Sequence, residues 1–139
     1  MNNPLDCTSL EKAVISLGRA VATFRENEKN AGENLAALLR AGVIQNFEIT
    51  YELSWKMMAR WLNENITPSA ATGISRRELF RLAAQNGLIT DVAAWFAFHE
   101  DRNSTSHTYN ETNALEVFES AQKFHPFAKS LLENLKARS

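Results

Sequence analysis

At 139 residues, with 45% hydrophobic and 22% charged positions, the chain has the size and balance of one folded domain, which argues against a disordered or collagen-like chain. Lys and Arg total 15 against 16 Asp and Glu, so the net charge of −1 leaves no general basic excess for holding nucleic acid. The single Cys, Cys7, rules out an internal disulfide framework and a thiolate zinc site and fits a reducing, cytoplasmic setting.

No apolar run approaches the ~18 residues of a transmembrane helix, and Met1 to Cys7 lack the basic-then-apolar pattern of a secretory signal. Neither a membrane partner nor a cofactor is expected. Gly and Pro are few, and no long window alternates apolar with polar residues, so the pattern is helical rather than stranded.

Thr8 and Glu11 have the spacing of a capping box, and Leu10, Val14, Leu17, Val21 and Phe24 form one stripe on a helix from about Ser9 to Glu28. A second helical pattern starts near Glu33 with Leu35, Leu38 and Leu39, and Gly42 either interrupts or weakens it. Ile44, Phe47, Tyr51, Trp55, Met58 and Leu62 follow, widened by Val43, Leu53, Met57 and Trp61. A helix this apolar all round is central, or also buries a partner subunit. Thr67 to Gly73 is a loop; Ser75 and Glu78 cap a short helix, and Gly87 suits the left-handed position beyond its end. Thr90 is the expected cap of a fourth helix whose inner face carries Val92, Trp95 and Phe96. After Asn110, Leu115, Phe118, Ala121, Phe124, Ala128, Leu131 and Leu135 mark a final helix with Pro126 inside it, where a kink is expected. The expected fold is all-α: a single domain over residues 1–139, an antiparallel up-and-down bundle of four long helices plus a short one.

The fourth helix carries the functional signal. Continued at helical spacing, its apolar stripe meets His99, Arg102, Asn103 and Ser106, followed by His107 and Tyr109. Arg offers a permanent charge in a fork that matches phosphate, His exchanges a proton near neutrality, and Tyr offers a hydroxyl. Together they have the chemistry to handle a phosphodiester without metal. On an ideal helix, Arg102 and His107 stand about 140° apart, so they share a site only if the helix breaks near Ser104–Ser106 or if two subunits contribute. The competing plain readings make Arg102 a salt-bridge residue, His107 a helix-end cation and His99 a hydrogen-bonded, partly buried side chain. His125 reads as structural, and the three Trp residues as core or interface. Arg76, Arg77 and Arg81 read as a solvated face, with an RNA backbone as the alternative.

The run Arg102-Asn103-Ser104-Thr105-Ser106-His107-Thr108-Tyr109 resembles the motif of the HEPN superfamily, and Gly42 to Lys56 resembles the central helix of its HepT-like, nucleotidyltransferase substrate-binding branch. The resemblance runs from about Leu10 to Leu135. It implies a homodimeric helical bundle whose Arg and His meet in a cleft between subunits. It further implies a toxin–antitoxin pair in which Arg102 and His107, assisted by Asn103, cleave RNA without metal. His99 and Ser106 are candidates for substrate contact. A cognate minimal nucleotidyltransferase would silence the toxin by adenylylating Tyr109. An alternative description makes such a chain the non-catalytic substrate-binding subunit of a two-component nucleotidyltransferase.

Overall fold

The computed structural model describes residues 5–107 and 111–138, with the side chains of Ser106, His107 and Glu111 outside the description. Every regular element among them is helical: α1 (Thr8–Asn27), α2 (Glu33–Asn65), α3 (Arg76–Gln85), α4 (Val92–Asn103), a 3₁₀ turn (Ser104–His107) and α5 (Glu111–Ala137). Three helices are long; α3 and α4 have 10 and 12 residues.

Cross-helix pairs give the directions. The Thr50 hydroxyl donates to the Ala13 carbonyl and the Ser16 hydroxyl to Asn46, so α1 and α2 are antiparallel. Tyr51 meets His99 and Glu48 meets Arg102, so α4 also runs against α2. Lys136 of α5 pairs with Glu11 at the start of α1, while Phe118 packs on Phe24 at its end. α2 touches all four other helices. That accounts for its breadth of apolar residues: Val43, Ile44, Phe47, Tyr51, Met57, Met58, Trp61 and Leu62 are all buried. Gly42 lies inside α2 without interrupting it. Phe124 sits at the centre of the core, with the rings of Phe47, Trp95 and Phe98 5.1–5.3 Å away.

The helix ends differ from expectation in two places. α1 starts one residue early, at Thr8, and no Thr8–Glu11 capping box forms; the Asp6 carboxylate accepts the Thr8 N–H at 2.9 Å and supplies the acceptor from upstream. The cap of α4 is Asp91, not Thr90, because its charged carboxylate takes the Ala94 N–H at 2.9 Å. Ser75 does cap α3, accepting from the Glu78 N–H, and Gly87 does adopt φ +80°. α5 passes through Pro126 as one helix. Leu115, placed in the stripe by its spacing, is 46% exposed; the first turn of α5 borders the 3₁₀ segment, where Asn113 donates to the Ser104 carbonyl.

Candidate functional site

The inner face of α4 begins in the core with Trp95 and Phe98 and turns polar toward its C-terminus. Helix α4 ends where the side chains compete for its carbonyls: the Ser104 hydroxyl donates to Glu100 O at 3.2 Å and the Thr105 hydroxyl to Arg102 O at 2.8 Å. The chain tightens into the 3₁₀ turn there. Of the two routes left open by the Arg102–His107 spacing, the helix break is therefore present. The His107 side chain, the Ser106 side chain and all of Tyr109 lie outside the described residues.

Arg102 occupies the last turn of α4, its side chain 28% exposed. One Nη donates to Thr105 Oγ1 at 3.1 Å. Two carboxylates of α2 approach at longer range, Glu48 at 3.8 Å and Glu52 at 3.9 Å, while the buried Nε has no hydrogen-bond partner. The salt-bridge reading of Arg102 thus holds, with the neighbouring helix α2 supplying the carboxylates; Asp101 accepts from the Ser120 hydroxyl of α5. The ion pairs are long and half-exposed, a geometry that contributes little. Leaving a buried donor unmade costs about 1–3 kcal/mol.

One helical turn earlier, His99 Nδ1 lies 2.7 Å from the Tyr51 hydroxyl, and its Nε2 lies 3.3 Å from Asn103 Nδ2. Burial, then the Arg76 charge, push the His99 imidazole below its usual range. Burial pushes the Tyr51 hydroxyl well above its ordinary value, so it is neutral at pH 7. Arg76 closes this side of the site: its guanidinium lies 3.5 Å over the Trp55 ring, and its charge reaches Tyr51.

The structure thus gathers His99, Arg102 and Asn103, which the sequence singled out, with Glu48, Tyr51, Glu52 and Trp55, which it did not. Glu48 and Glu52 stand four apart and so share one face of α2, but a helix that also carries Arg40, Lys56, Arg60 and Glu64 does not single them out. Of the arginines read as a solvated face, Arg81 fits, exposed and 3.4 Å from Glu78; Arg76 does not, because it lies over the Trp55 ring. His125 packs against Gly18 of α1, the structural role expected for it. Among the described residues no group of three His, Cys, Asp or Glu side chains is placed to hold a metal ion.

Residues 5–137 match the family described as nucleotidyltransferase substrate binding protein like. The chain belongs to that family. It is 33% identical to a Haemophilus influenzae protein named probable ribonuclease HepT, over 100% of this chain and 97% of that protein. A solved Haemophilus influenzae structure, described as revealing the fold of a substrate binding domain of a nucleotidyltransferase, superposes with a TM-score of 0.88 at 33% identity. That match covers 94% of this chain and 99% of the other. A Thermus thermophilus structure aligns at TM-score 0.64 and 28% identity, over 86% of this chain and 98% of that one. The all-α fold and the family resemblance read from the sequence are both borne out.

Proposed function

We propose that the chain is a HepT-like toxin: a metal-independent endoribonuclease, homodimeric and cytoplasmic, paired with a minimal nucleotidyltransferase that silences it. The observation that carries this reading is the Arg102 guanidinium. It is held half-buried where α4 breaks, with Nε unused, Nη1 bonded to the Thr105 hydroxyl and Nη2 faced only by the Glu52 carboxylate at 3.9 Å. A fork with spare donors is suited to a phosphodiester. The name of the 33%-identical relative supports the same reading.

In the proposed reaction the ribose 2′-oxygen attacks the adjacent phosphorus. A P–O2′ bond forms, the P–O5′ bond breaks, and a cyclic phosphate remains. His107 takes the 2′-hydroxyl proton and a proton is returned to the leaving 5′-oxygen. Arg102 stabilises the charge gathering on the phosphoryl oxygens, and Asn103 assists. Silencing is attack of the Tyr109 oxygen on the α-phosphorus of ATP, with diphosphate leaving. The added negative charge beside Arg102 then excludes RNA.

Arg102→Ala and His107→Ala should each abolish RNA cleavage in EDTA while leaving the helical content and unfolding temperature close to wild type. Cleavage surviving both changes overturns the assignment.

A second reading, a non-catalytic substrate-binding subunit, is favoured by Glu48 and Glu52, whose carboxylates oppose an incoming phosphate. It predicts a stable complex with the nucleotidyltransferase, an unmodified Tyr109 and no cleavage.

A further inference from the structure

Three buried side-chain polar atoms lack a hydrogen-bond partner among the described residues: Trp61 Nε1 and the Nε atoms of Arg76 and Arg102. The two guanidiniums stand at opposite ends of one chain of contacts. Arg102 Nη2 faces Glu52 Oε1 at 3.9 Å, Glu52 Oε2 accepts from Trp55 Nε1 at 3.2 Å, and Arg76 lies 3.5 Å over the Trp55 ring. The Tyr51–His99 pair feels the charge of both.

Arg76 differs from its neighbours on α3. Arg81 is neutralised by Glu78 at 3.4 Å, and Arg77 lies over Phe96 at 4.0 Å. Among the described residues no carboxylate lies within ion-pair distance of Arg76; the Trp55 indole holds it. A guanidinium near the face of an aromatic ring is positioned by attraction to the ring, and its rigid fork can still offer N–H groups to a phosphate. No direct ion pair neutralises it, and the ring positions it before any ligand arrives.

We infer that Arg76 is a second phosphate-binding group of this site, gripping an RNA phosphate next to the one held at Arg102. The identity of the ligand rests on the ribonuclease reading. Trp55 acts as the positioning residue, fixing Arg76 through the ring and linked to Arg102 through Glu52.

The test is binding of a fluorescent, uncleavable 2′-O-methyl oligouridine, measured across a salt series. Arg76→Gln keeps a planar group beside Trp55 and removes the charge. It should weaken binding about tenfold and flatten the slope of log Kd against log salt by about 0.7, the share of one phosphate contact on a single strand. Arg76→Lys keeps the charge and should keep the slope, which separates lost electrostatics from lost packing. Arg81→Gln should change neither. Wild-type affinity and slope in Arg76→Gln, or an equal loss in Arg81→Gln, overturn the inference. A protein that binds the oligomer through Arg76 but never cleaves RNA sinks the ribonuclease reading alone. A protein that cleaves RNA while Arg76→Gln binds normally sinks the inference alone.

Discussion

His99 couples the site to pH. Burial and the Arg76 charge favour its neutral form, so its folded pKa lies below the ordinary value of 6.5. Between those two values the unfolded chain binds more protons than the folded one, and stability rises with pH. The contribution is complete above about pH 6.5 and is lost as pH falls through the depressed folded pKa. His125, whose pKa is lowered by burial and then by Lys129, acts in the same direction. The unfolding temperature should therefore fall between pH 7.5 and pH 5, and fall less in His99→Gln. An identical pH profile in that variant would remove His99 from the account. Part of the site was legible at this scale. His99, Arg102 and Asn103 continue the spacing of a core face, and polar residues there demand partners. The partners themselves, Tyr51, Glu48 and Glu52, sit some fifty residues away on α2, and no local spacing reports that proximity.

Close approach sets the arrangement of the elements. A Cβ built on Gly18 would stand 2.8 Å from His125 Nε2, so a methyl group fits between α1 and α5 here only if the His125 ring moves. Gly18→Ala gains helix propensity of roughly 1 kcal/mol but overpacks this contact, which typically costs about 1–3 kcal/mol. Denaturant unfolding should show a net loss on the order of 1 kcal/mol, relieved when His125→Ala is added. A stabilised single variant would show that the His125 ring swings aside at little cost. Helix α1 was readable from five apolar residues at helical spacing, all of them buried. Its start was not, because the acceptor comes from Asp6, outside the capping pattern. The end of α4 was readable only as an option, since Ser104 and Thr105 break it through side-chain bonds that the bare spacing does not record.

At the scale of the whole molecule, α2 reaches every other helix and still leaves Leu35, Leu38 and Ile49 46–68% exposed. Core burial explains the rest of its apolar surface. The proposed dimer makes a sharper demand, which mixed variants can meet. In a heterodimer of Arg102→Ala and His107→Ala protomers, a site shared between subunits has one intact Arg–His pair. Two inactive preparations, mixed and allowed to exchange, should therefore regain cleavage. If each site lies within one protomer, every site in the mixture is broken and activity stays absent. Family membership does not decide this point, nor does the break in α4, which serves either arrangement.

The central claim is that Arg102 grips a phosphate under attack by its own ribose. The most direct measurement is the mass of the RNA fragments released by purified protein in EDTA. Fragments ending in a 2′,3′-cyclic phosphate, produced by the wild type and lost in Arg102→Ala, are the predicted result. Uncut RNA with the folded wild type, or the same fragments from Arg102→Ala, would contradict it.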